Sequence, residues 1–127
     1  MKRFVISALL IVPISVSAAG LVCNIRPAKN TPVSALPGLA KISQVEAQKI
    51  ALARVKSPSA QIVSAELEIE HGCLVYSFDI RLSGKSGVEE IMVDAGTGKV
   101  VSQKHETAAQ EAAEQTKDKA ATSKKAK

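Results

Sequence analysis

Aromatic residues are almost missing from this chain. In 127 residues there is no tryptophan, one tyrosine and two phenylalanines, an aromatic share of 2%. Only Tyr76 and Phe78 fall within the patterned middle of the sequence. Bases therefore have no platform to stack on, and the charge agrees: the whole chain is +5, yet residues 41–106 hold 8 Lys/Arg against 9 Asp/Glu. A nucleic-acid-binding fold needs a basic face on the folded domain itself, so nucleic acid is not an expected partner. Histidine is also scarce, with only His71 and His105. A metal centre would have to gather further Cys or carboxylate ligands around them. Neither Cys73 with His71 nor Cys73 with His105 stands in a nucleophile motif, so no catalytic residue, metal ligand or cofactor-binding residue is expected. The stretch Gly96-Thr97-Gly98-Lys99 lacks the spacing and the following helix of a phosphate loop.

Long apolar runs are limited to one place, the N-terminus. Met1-Lys2-Arg3 is a short basic start, Phe4 to Val16 is apolar apart from Ser7, Pro13 and Ser15, and small residues follow at Ser17, Ala18 and Ala19. This is the layout of a secretory signal peptide over residues 1–19, with the mature protein starting near Ala19 or Gly20. Apolar character continues to Cys23, so a retained segment would be long enough to anchor in the inner membrane. A lipid attachment site at Cys23 would normally follow a small residue, and Val22 precedes it. Either reading places the remainder outside the cytoplasm, as a periplasmic or secreted protein. Cysteine is confined to Cys23 and Cys73, and in such a compartment disulfides persist. If the two pair, they close a loop of about fifty residues, for which chain-entropy arguments give about 4 kcal/mol. The alternative leaves both thiols free.

Residues 20–40 hold Pro27, Pro32, Pro37 and Gly38 without an apolar period, and are expected as an extended linker, with order beginning at Ile42. Ser43 and Glu46 then form a capping-box pair. Ala47, Ile50, Ala51 and Val55 recur on one helical face up to the stop at Pro58. A strand over Gln61 to Glu70 should send Val63, Ala65, Leu67 and Ile69 inward and Glu66, Glu68 and Glu70 outward. His71-Gly72 turns the chain into a second strand, Cys73 to Leu82, with Leu74, Tyr76, Phe78 and Ile80 inward. A third strand, Val88 to Asp94, and a fourth, Lys99 to about Gln103, complete an antiparallel meander joined by short connections. The fold class is α+β, one N-terminal helix on four strands. From Thr107 to Lys127 the chain is Ala, Gln, Glu and Lys without an apolar stripe, expected as a disordered or weakly helical tail.

The stretch Ile91-Met92-Val93-Asp94-Ala95-Gly96-Thr97-Gly98-Lys99-Val100 carries the most specific signal: a strand, an acidic turn residue, two glycines and a β-branched restart. With Ile42-Ser43-x-x-Glu46-Ala47-x-x-Ile50-Ala51 upstream and Leu74-Val75-Tyr76 between, it resembles the PepSY domain, a small module of metalloprotease propeptides and bacterial envelope proteins. The resemblance covers residues 41–106. It implies a cystatin-like arrangement in which Ser43, Glu46, Ala47, Tyr76, Asp94, Gly98 and Lys99 match family positions; the residues themselves give a structural reason for each. It also implies a non-enzymatic binding module that modulates or inhibits an extracytoplasmic peptidase or another envelope protein. The rival reading is a structural envelope protein, tethered by its N-terminal segment or its basic tail, whose lysines could touch anionic envelope surfaces. Glu66, Glu68 and Glu70 are either a solvated strand face or a docking patch for a basic protein partner.

Overall fold

A computed structural model describes residues 20–125; the signal peptide expected over residues 1–19 lies outside them, as does the chain's last pair of residues. A helix α1, Gln44–Val55, is followed by β1, Gln61–Glu70, β2, Cys73–Arg81, β3, Val88–Asp94, and β4, Val100–Glu106, and then by α2, Ala108–Lys125. The four strands form one antiparallel sheet in the order β1-β2-β3-β4. This is the α+β helix-on-meander arrangement that the periodicities predict.

The capping box starts α1. Ser43 Oγ accepts from the Glu46 N–H at 3.2 Å and the Ser43 N–H donates to Glu46 Oε2 at 2.8 Å. Two donors without helical partners are thereby satisfied. Ser43→Ala is expected to cost about 1 kcal/mol of unfolding free energy, read by urea denaturation. Ala47 and Ala51 are fully buried, and their small size lets the helix sit close over the sheet. Beneath it lie Leu74, Tyr76, Phe78, Ile80, Ile91 and Val93, all buried as their alternation requires. Burying each of the larger ones contributes about 1.5–3 kcal/mol.

Two expectations need correction, and a third is narrowed. Val63 does not face the core: a bulge between Ile62 and Ser64 turns it outward, 45% exposed, while Ile62 packs inward. A bulge inserts one residue and reverses the alternation behind it. Residues 20–40 are not a free linker. Val33–Gly38 forms a 3-10 turn whose Leu36 is buried in the main core, and Ile25 packs there too, its C=O accepting from the Leu74 N–H at 2.9 Å. Two isolated apolar side chains among prolines suffice because the sheet supplies their partners. For residues 107 onward, expected as disordered or weakly helical, the described range holds a helix. Thr107 and Gln110 make a second capping box, Thr107 N–H to Gln110 Oε1 at 2.9 Å and Gln110 N–H to Thr107 Oγ1 at 3.3 Å, and α2 follows, resting on β4. No described helix is long and apolar enough to cross a membrane.

Candidate functional site

Two regions gather the residues that the sequence singles out. The first is the β3–β4 turn. Asp94 is buried, and its carboxylate accepts from the Gly96 N–H at 3.0 Å, the Thr97 hydroxyl at 2.7 Å and the Asn24 N–H at 3.1 Å. Its backbone N–H donates to Lys99 C=O at 2.8 Å, and its C=O accepts from the Gly98 N–H at 2.9 Å. Gly98 has φ +77°, the left-handed region that glycine enters without strain. Ala95 C=O accepts from the N–H groups of Lys41 and Ile42, and the Tyr76 hydroxyl donates to Ile42 C=O at 2.9 Å. Ser43, Glu46, Ala47, Tyr76, Asp94, Gly98 and Lys99 thus converge on one junction that fastens the start of α1 to the turn. Their contacts lie within the fold, with Ser43, Glu46 and Lys99 exposed at its surface.

The second region is the sheet face opposite α1. At one end Cys23 is bonded to Cys73, with Cα atoms 5.7 Å apart, and Leu21, Val75, Met92 and Val101 pack around the bond. At the other end a cleft of about 550 Å³ opens between the sheet and α2. From β1 it takes Glu66, Glu68 and Glu70, and from β2 Asp79 and Arg81. From β3 and β4 come Glu90, Lys104 and Glu106, and from α2 Glu111, Glu114 and Lys117. Arg81 holds α2 in place through Glu111 at 3.4 Å.

Eight carboxyl groups therefore share the cleft with three cations. Lys104 is the central counter-charge: its ammonium lies 2.7 Å from Glu106 Oε1 and 3.2 Å from Glu90 Oε2. The hydrogen bond to Glu106 comes first among the causes that raise the lysine's pKa, against the opposing effect of burial. Glu90 is only 7% exposed, and the Lys104 ammonium is the cation that faces its Oε2. Carboxylate oxygens of Glu90, Glu106 and Glu114 come within 4.8 Å of one another. Neither histidine belongs to that group; His71 pairs with Glu70 at 3.1 Å and His105 with Glu89 at 2.9 Å.

Burial pushes Glu68 up to about 7, aided by the charges of Glu66, Glu70 and Glu90. It pushes Asp79 up to about 6, aided by Glu90, Glu106, Glu111 and Glu114. A carboxyl whose folded-state pKa exceeds its unfolded value holds its proton more tightly when folded. Stability is then present at low pH and declines as pH rises, here between about 4.5 and 7 for Glu68 and between about 3.8 and 6 for Asp79. Both groups are partly exposed, so solvent screening reduces the effect to about 1–2 kcal/mol. Thermal melts should show a higher midpoint at pH 5 than at pH 8, with the difference shrinking in Glu68→Gln. Glu46 is held below its ordinary value by its hydrogen bonds with Ser43.

The strand periodicity points to Glu66, Glu68 and Glu70. It does not announce Glu90, Glu106, Glu111 and Glu114, because they come together only where α2 lands against the sheet. On β3 the visible signal is alternation: Glu90 and Met92 alternate with the inward-facing Ile91 and Val93.

No curated protein and no solved structure matches the chain. A family model does: the PepSY model, described as "Peptidase propeptide and YPEB domain", matches residues 41–104, half of the sequence and the whole span from the lead-in of α1 to Lys104 on β4. With the capping box, the Tyr76 anchor and the Asp94–Lys99 turn all in place within that span, the chain belongs to the PepSY family.

Proposed function

We propose that this protein works outside the cytoplasm as a non-enzymatic binding module, modulating or inhibiting an extracytoplasmic peptidase or another envelope protein. The observation that carries this reading is the cleft on the outer sheet face. It is a recessed, charged surface supported by a rigid sheet, while the family-motif residues are occupied in holding the fold together. Family membership supports a general binding or regulatory role, since PepSY modules accompany peptidase propeptides. The basic, apolar and small-residue succession over residues 1–19 supports export, as does the Cys23–Cys73 bond, because disulfides last in oxidising compartments.

The test uses purified mature protein and extract of the cell envelope. Added protein should slow a peptidase activity of the extract and co-purify with a defined envelope protein, both in proportion to its concentration. Unchanged activity together with no captured protein would contradict the reading.

A further inference from the structure

The helix α2 is secured to the rest of the fold at one end only. From Ala108 to Lys125 it contains no apolar residue larger than alanine, so it has no stripe to bury against the sheet. Glu111 is its one described side chain that is not exposed; residues 108–110, 112–117, 119 and 120 all face water. Among the described residues a single ion pair joins it to the sheet, Arg81 to Glu111 at 3.4 Å, with the arginine half-exposed. Exposed pairs of this kind shift an equilibrium by no more than about fivefold. The base of the helix, by contrast, is fixed. Glu106 is buried and bound to the Lys104 ammonium, and Gly87, at φ +74°, passes so close to the Glu106 carbonyl that a Cβ there would collide with it. The Thr107–Gln110 capping box then sets the direction of the first turn. Beyond Glu111 the cleft separates helix from sheet, and Glu114 brings like charge up to Glu90 and Glu106. A helix without a packed face is only partly stable by itself.

We propose that α2 is a hinged strap, pivoting at Thr107 and latched by Arg81 and Glu111, that covers the outer sheet face and lifts from it to admit a partner. The proposal rests on the reading of that face as the binding surface and adds its regulation. Docked and lifted forms differ by one weak latch, opposed by the charge of Glu114, so both are populated. A partner that binds the uncovered face shifts the balance toward the lifted form. The sheet has no need to rearrange when the strap rises. Cys73, Val75 and Met92, buried on its outer side, pack with Leu21, Cys23 and Val101 and not with α2.

The test uses the full-length mature, oxidised protein. In amide hydrogen exchange, α2 should exchange at least about a hundredfold faster than β2 and β3, as a lightly held segment does. Glu111→Gln removes the charge that pairs with Arg81. It should raise α2 exchange by at least about threefold and leave β2 and β3 unchanged. Reversing the latch in Arg81→Glu/Glu111→Arg should restore the parent rate, which a role in simple packing would not allow. The chain has no tryptophan, so Val63→Trp, in the cleft, reports the cover directly: acrylamide should quench it more strongly once Glu111→Gln is added. Melting curves of each variant confirm folding. Exchange in α2 as slow as in β2, exchange indifferent to Glu111→Gln, or equal quenching with and without that substitution would overturn the strap. A photoreactive residue at Glu68 should give a higher yield of partner adduct in Glu111→Gln than in the parent. An unchanged yield, with α2 lifting as measured, would overturn its gating role. No adduct from position 68 in either protein would fall on the binding-surface reading instead, while exchange and quenching still decide whether α2 lifts.

Discussion

Reducing the Cys23–Cys73 bond is expected to lower the melting temperature by roughly 15–30 °C, the shift that about 4 kcal/mol produces in a domain of this size. The bond joins residues 50 apart in sequence, and without it the unfolded chain regains the freedom of that whole loop. Small cores seldom leave a stability margin of that size. The native contacts of the N-terminal arm do not depend on the bond alone. Asn24 still reaches Asp94, Ile25 still accepts from Leu74, and Leu36 stays in the core. The reduced protein should therefore keep its far-UV signal at low temperature while melting early. Scanning calorimetry with and without reductant, and of a Cys23→Ser/Cys73→Ser variant, checks this. Equal melting temperatures in all three would mean that the arm is held by its other contacts and the bond adds nothing.

Replacing Asp94 by alanine should cost about 3 kcal/mol, among the largest effects of any single polar substitution in the domain. Three donors converge on that carboxylate from three places: the turn backbone, the Thr97 hydroxyl and the Asn24 backbone of the arm. Hydrogen bonds to a charged group contribute about 1.5–3 kcal/mol each, and partial access of water to the turn offsets part of their loss. The arm is also tightly seated here, since a Cβ on Gly96 would come within 2.7 Å of Asn24 Oδ1. Asp94→Asn keeps one acceptor oxygen and should cost less than half as much. Urea denaturation of the two variants measures the difference; an alanine variant as stable as the parent would remove the turn's role as the clasp between arm, sheet and helix.

The order α-β-β-β-β is legible because each element announces itself locally. Ser43 and Glu46 are three residues apart and close their own box. The alternation of Leu74, Tyr76, Phe78 and Ile80 states which face is covered, and Asp94 with two glycines states where the chain reverses. What escapes the sequence depends on distant partners. Ile62 and Val63 are both β-branched and apolar, so nothing local says which of them turns out at the bulge; the pairing of Ile62 with Ile80 and of Ser64 with Asp79 decides it. Leu36 looks solitary among prolines until the sheet provides its neighbours. The candidate site shows the same division. The Glu66, Glu68 and Glu70 row follows from a period of two. The meeting of Glu90 and Glu106 with Glu111 and Glu114 follows from the placement of α2, whose capping pair Thr107 and Gln110 is visible in the sequence but whose resting place is not.

The central claim is that partners meet this protein on the sheet face beneath α2 and not on the helix side. A photoreactive residue placed at Glu68, in the cleft, can be compared with one at Val45, which is 59% exposed on α1. Both variants are expressed with the disulfide intact and irradiated in whole cells. Position 68 is predicted to yield a discrete adduct with an envelope protein and position 45 none; an adduct from position 45 with nothing from position 68 would contradict the account.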